Sequence, residues 1–203
     1  EGNKLLIRFA NDSEKIKTLN EKTYELTTED LVISDSIGAD DLAGIMGGER
    51  TGVSDQTTEM LLEVAIFDPI SVSNTGRRLN ILSDARYRFE RGLDADSPKW
   101  VHDYVSSLII ECCGGEVSHI DYDGSGDKWK RKILFDPSKI FDLIGVKIAN
   151  NKILSILKDL GFDVDAKKNV WEIYPPSWRG DIDGDADIVE EVIRIYGYDN
   201  IPQ

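Results

Sequence analysis

The chain has 203 residues, 40% of them hydrophobic, enough to build one large or two small cores. Its formal net charge of −14 speaks against a free-standing nucleic-acid binder, which needs a positive surface to displace counterions. The two cysteines are neighbours, Cys112 and Cys113, so a disulfide framework is excluded; with no signal peptide and no apolar run of membrane length, the expected location is the reducing cytoplasm, with no membrane partner.

Taken in order, Lys4 to Phe9 reads as a strand. Lys15 to Leu19 and Thr23 to Leu26 read as a hairpin over Asn20-Glu21, and Leu31 to Ser34 is a short apolar strand. Asp35 to Asp41 is expected to be a loop, with a strand then running into Gly44, and Thr51 to Thr57 is a polar loop. Met60 to Phe67 is an apolar run interrupted by Glu63. If it is a strand, Leu62 and Val64 point one way and Glu63 the other, so the carboxylate either faces solvent or lines a pocket.

Asp68 followed by Pro69 signals a helix start, with Ile70 to Leu79 as its body. Ser83 caps a second, arginine-rich helix that Gly92 stops. Five arginines against two acids between Arg77 and Arg91 form a basic stretch. It either meets a phosphate backbone or is a solvated face laced with ion pairs. A third helix runs from Asp96-Ser97-Pro98 to about Cys113, with Val105, Leu108, Ile109 and Cys112 as its buried stripe. His102 and His119 make no metal-ligand spacing with the cysteines. Asp121 to Asp127 has linker composition, and a domain boundary is placed near Trp129, giving units of 1–128 and 129–203.

The second unit reads as helix, helix, hairpin and helix. Asp136-Pro137 opens the first helix and Gly145 ends it. Asn150 to Leu160 is the next, with Ile153, Ile156, Leu157 and Leu160 on one face. Phe162 to Asp165 and Val170 to Tyr174 pair over Lys167-Lys168-Asn169, and Asp185 to Tyr196 is the last helix. Six acids crowd Asp181 to Glu191. Asp187, Glu190 and Glu191 share a helix face, and Asp181 can fold back toward them. Four such oxygen donors suit a hard cation such as magnesium; equally, an acidic helix start is stabilised by the macrodipole alone.

Three stretches of the first unit carry a resemblance: "AGIMGGERTGVSDQT" from Ala43, "LLEVAIFDP" from Leu61 and "SDARYRFERGLD" from Ser83. A fourth is "PPSWRGDIDGDADIVEEVIRIYGYDNIP" from Pro175. The first three resemble the B3/B4 editing domain of the bacterial phenylalanyl-tRNA synthetase β subunit, and the last its B5 domain. The resemblance implies an α+β fold: a mixed-sheet B3/B4-type domain followed by a small, winged-helix-like α+β B5 domain.

It also implies hydrolysis of tyrosine wrongly attached to tRNA(Phe). Glu63 matches the glutamate that recognises tyrosine, Gly47 a pocket glycine, Ala85 a small residue that sets pocket size, and Ser83 stands where threonine is common. No nucleophile–base pair falls in these motifs, so hydrolysis is expected to use a positioned water. Asp181, Asp187, Glu190 and Glu191 match positions implied to hold magnesium shared with the α subunit of an α2β2 tetramer. The whole enzyme uses ATP, and aminoacylation is expected on the α chain, with no catalytic residue for it here. The alternative is a non-catalytic scaffold that positions tRNA and forms subunit interfaces.

Overall fold

The computed structural model describes residues 4–124, 130–167 and 169–202. The expected boundary at Trp129, like Lys168 in the second hairpin loop, lies outside the described residues. The chain divides into two units: one of residues up to Leu93 with Ser97–Ser118, the other of His119 onward with Asp94–Asp96.

In the first unit, strands β1 (Leu6–Phe9), β4 (Leu31–Ser34), β5 (Ala39–Leu42) and β6 (Met46–Gly47) form one sheet in the order β1-β4-β5-β6. Strands β2 (Lys15–Lys17) and β3 (Thr23–Glu25) form a separate hairpin. The α+β class holds, but every pairing among the described strands is antiparallel, where a mixed sheet was expected. Short connections explain this for β2–β3, β4–β5, β5–β6 and β8–β9, since parallel neighbours need long crossovers.

Two further expectations change. Residues 39–41, expected in a loop, belong to β5, because Arg50 bonds both Asp35 and Asp40 and makes the acids tolerable there. Glu63 belongs to no strand. The alternation around it comes from Ala65 and Phe67 packing onto the core without ladder bonds.

Helix α1 (Pro69–Arg78) starts as expected: the Asp68 carboxylate accepts from Ser71 N at 2.8 Å, and Pro69 opens the helix. Its buried face, through Val72, joins the core of Ile16, Leu26, Val32, Leu42, Ile45 and Ile81. One polar cluster fixes it there. Asp30, 1% exposed, accepts from Thr27 N at 2.8 Å, from the Thr75 hydroxyl at 2.7 Å, and from Arg78. Helix α2 (Asp84–Phe89) follows. Helix α3 (Ser97–Cys113) has no buried residue: Leu108 and Cys112 are exposed, and Val105 and Ile109 only half-buried. Its stripe is apolar but not packed in this structure, which corrects the expected buried face.

The second unit packs α4 (Ser138–Ile144), α5 (Asn150–Asp159) and α6 (Asp185–Tyr196) with a three-stranded sheet in the order β7-β9-β8. The hairpin β8 (Asp163–Asp165) and β9 (Trp171–Tyr174) is as expected; β7 (Ile133–Phe135) adds a third strand. Ile153, Ile156 and Leu157 are buried on one face of α5, against Phe135, Trp171, Ile173, Ile188 and Val192. Gly145 and Gly161 take positive φ at the ends of α4 and α5, as helix stops require.

Asp30 ties α1 to the residues just before β4. Burial pulls its pKa up, but the bonds from Arg78, Thr27 and Thr75 outweigh this and hold it below the ordinary value. Its stabilisation is therefore complete above the unfolded carboxyl pKa and fades as pH falls below it. Asp30→Ala is expected to cost about 2–4 kcal/mol in urea unfolding at pH 7, with less difference from wild type in acid.

Candidate functional site

The turn from β5 to β6 and the strand that follows it carry three glycines with different duties. Gly44 has φ +69°, and a Cβ there would lie 3.0–3.2 Å from Phe67, Phe89 and Val72. Gly48 donates to Asp40 O at 2.7 Å, an approach that a side chain would block. Gly47 is under neither constraint. A Cβ on it would meet only the exposed Leu19, at 3.2 Å. Gly47 pairs with Asp41 in the ladder, and directly opposed residues point to the same face. With no side chain at Gly47, the neighbour of the Asp41 carboxyl on that face is the exposed Leu19.

Ser83 pins this turn from the other side. Its hydroxyl accepts from Arg86 N at 3.0 Å, capping α2, and donates to Ile45 O at 2.6 Å. Both roles are structural, so the hydroxyl is already engaged. Arg86, buried, secures α2 further by donating to Gly76 O at 3.0 Å, Ile81 O at 2.6 Å and Glu90 at 3.0 Å. Ala85 is exposed on the first turn of α2, two residues from Ser83.

Glu63 is open to solvent as a residue, yet its carboxyl lies against enough protein for desolvation to raise its pKa. Asp41 is affected more. Burial first, then the charges of Glu63 and Asp40, push it up to about 7. Glu63 is thus close enough to Asp41 for its charge to raise that group, and Ser83 holds the turn at Ile45. The structure relates Gly47 to Asp41 through the ladder and Ser83 to the turn through Ile45. Asp41 was not singled out from sequence as a site residue; an acid two residues before the glycine motif was the available signal.

The basic stretch is mostly satisfied internally. Arg78 bonds Asp30, Arg86 is buried, Arg88 lies 3.9 Å from Asp84, and Arg91 bonds Glu90 at 2.9 Å and stacks on Tyr87. The ion-pair alternative describes these four.

The four acids of the second unit do not converge. Asp181 is gripped by Arg179 at 2.6 and 2.8 Å. Glu191, buried, accepts from Arg179 at 2.6 Å and from Arg194 at 2.7 and 3.1 Å, which hold its pKa at about 2. Asp187 reaches back to accept from Asp183 N and Gly184 N, both at 2.9 Å, at the start of α6, and Glu190 is exposed. Among the described residues no three His, Cys, Asp or Glu side chains are placed to hold a metal ion. As arranged here, with arginines already neutralising two of the carboxylates, this set does not fit magnesium.

A family model described as the B3/4 domain matches residues 1–114, and one described as the tRNA synthetase B5 domain matches residues 133–198. The chain is 46% identical over 195 residues to the phenylalanine–tRNA ligase beta subunit of Paramagnetospirillum magneticum, covering 96% of this chain and 24% of that protein. It is 40% identical to the same-named subunit of Mesorhizobium japonicum, covering 97% of this chain and 25% of that one. A crystal structure of an N-terminal fragment of the phenylalanyl-tRNA synthetase beta-subunit from Pyrococcus horikoshii aligns with a TM-score of 0.45 and 16% identity, over 96% of this chain and 56% of that chain. The chain thus spans about a quarter of the length of the curated relatives it matches.

Because Ser83 serves two structural bonds, Ser83→Ala is expected to cost about 1–2 kcal/mol in chemical unfolding, whereas Ser83→Thr, which keeps the oxygen, should stay within about 0.5 kcal/mol of wild type. Amide exchange at Ile45 to Gly48 should accelerate in the alanine variant only.

Proposed function

This chain belongs to the B3/4 domain family and carries a tRNA synthetase B5 domain behind it, and on that premise we propose that it is the editing part of a phenylalanine–tRNA ligase β subunit. The reaction is hydrolysis of the ester joining tyrosine to tRNA(Phe). The partners are an α subunit, in an α2β2 enzyme, and tRNA(Phe). ATP and magnesium serve aminoacylation on the α chain. No step of the hydrolysis is routed through the acids of α6.

One observation carries the reading: a carboxyl, Glu63, is partly stripped of water and close enough to act on Asp41, the ladder partner of Gly47. The chemical problem is to accept a side chain with a phenolic hydroxyl and refuse one without it. A desolvated hydrogen-bonding group solves it by asymmetry. Tyrosine satisfies the group, while phenylalanine leaves it unpaired, a penalty of roughly 1–3 kcal/mol or more. Glu63 supplies that group. Ala85, on the first turn of α2, limits the size of what enters.

Ser83 acts at one remove by holding the turn. Cleavage is left to a water positioned on the ester, since no serine, cysteine or histidine stands ready as a nucleophile–base pair in the matched motifs. The arginines of α1 and α2 that acids and carbonyls of the chain already satisfy are not the tRNA anchor; the enzyme's other parts carry most of that contact.

The test is deacylation of Tyr-tRNA(Phe) by the holoenzyme. Glu63→Ala should lower kcat/KM for the tyrosyl ester by about 100-fold and narrow the gap between tyrosyl and phenylalanyl esters. An unchanged rate would remove Glu63 from the recognition scheme.

A further inference from the structure

Asp41 has no role in tyrosine recognition by Glu63 alone, yet it is the least satisfied polar group of the first unit. Its Oδ1 is fully buried and has no hydrogen-bond partner among the described residues. Such acceptors are uncommon in folded proteins, because each forfeits its hydration without compensation. The adjacent Asp40 shows the usual remedy: Arg50 pairs with it and with Asp35. On one side of β5 the ladder partner of Asp41 is Ile33, buried and apolar, which has no side-chain donor to offer. On the other side the partner is Gly47, which presents no side chain. An acceptor left bare, with only the exposed Leu19 side chain lying over the glycine beside it, is placed for a donor that arrives with a ligand.

A phenolic hydroxyl both donates and accepts one hydrogen bond. A single carboxyl satisfies one half of it; two carboxyls with one proton between them satisfy both. Resting on the editing function proposed for this chain, we propose that Asp41 is a second specificity-determining residue of the pocket, sharing the hydroxyl of the tyrosyl group with Glu63. One of the two accepts the phenolic hydrogen and the other donates to the phenolic oxygen. Burial and the Glu63 charge raise Asp41 to about 7, and burial raises Glu63, as expected of two acids that compete for protons. Phenylalanine then leaves two groups unpaired rather than one.

The measurement is the ratio of Tyr-tRNA(Phe) to Phe-tRNA(Phe) hydrolysis by the holoenzyme, for wild type, Glu63→Ala, Asp41→Leu, Asp41→Ala and Asp41→Asn, each checked by thermal unfolding. The buried Asp41 Oδ1 accepts no bond among the described residues, so its replacement is not expected to lower stability; the alanine variant serves if leucine is too bulky. Asp41→Leu and Asp41→Ala should lower the tyrosine preference about tenfold or more. Asp41→Asn, whose amide both donates and accepts, should stay within about threefold of wild type.

Should Glu63→Ala lose the preference while Asp41→Leu and Asp41→Ala keep it, this assignment fails and the editing reading survives. Should the asparagine variant fall as far as leucine, the shared-hydroxyl role fails as well. Wild type and Glu63→Ala hydrolysing the tyrosyl ester alike, or not at all, would overturn the editing reading and this inference with it.

Discussion

Ser83 accepts from the first turn of α2 and donates to the Ile45 carbonyl, so one hydroxyl fixes the distance between a helix start and the glycine turn. The rest of the site depends on that position. The turn sets Gly47 opposite Asp41, and Asp41 is the group that the Glu63 charge acts on. Two neutral hydrogen bonds of this kind contribute about 1 kcal/mol each, too little to hold a fold but enough to choose among turn conformations of similar energy. Stronger interactions stand behind them: the apolar core under Val72 and Ile81, and the Asp30 cluster that fastens α1.

The acids of α6 and those of the glycine turn are treated in opposite ways. On α6 and in the loop before it, arginines meet the carboxylates. Arg179 spans Asp181 and Glu191, Arg194 closes on Glu191, and the pKa of Glu191 falls to about 2. These carboxylates are firmly ionised and spoken for. Around the glycine turn, no such cation meets Asp41 or Glu63 among the described residues. Burial raises both, and the Glu63 charge adds to the rise at Asp41, leaving groups that gain by meeting a hydrogen-bonding ligand. An overall charge of −14 therefore says little about either place. The partners of individual acids decide instead.

Much of the fold is legible in local chemistry. The Asp68 and Ser83 caps, the proline opening α1 and the glycines closing α4 and α5 act within one turn of chain, so the sequence displays them directly. The stripe of Ile153, Ile156 and Leu157 is equally plain. The misses have long-range causes. Strand β5 looks like a loop because its two aspartates are unfavourable until Arg50 pairs with one of them. The apolar stripe of α3 has helical spacing, but spacing alone does not supply a partner surface. The acids of α6 suggest a metal until Arg179 and Arg194 are seen to reach them. Asp41 becomes visible only when the ladder shows that its neighbours are an isoleucine and a glycine.

The central claim is that Asp41, beside Gly47, and Glu63 are both desolvated and that Asp41 feels the Glu63 charge. Carbon-detected NMR titration of their side-chain carboxyls tests it most directly, in the free protein and without any substrate. Asp41 is expected to titrate near pH 7 and Glu63 above the ordinary glutamate value, and Glu63→Gln should bring Asp41 down. Titration of both groups in the ordinary carboxylate range, near pH 4, with no response of one to the loss of the other, would contradict it.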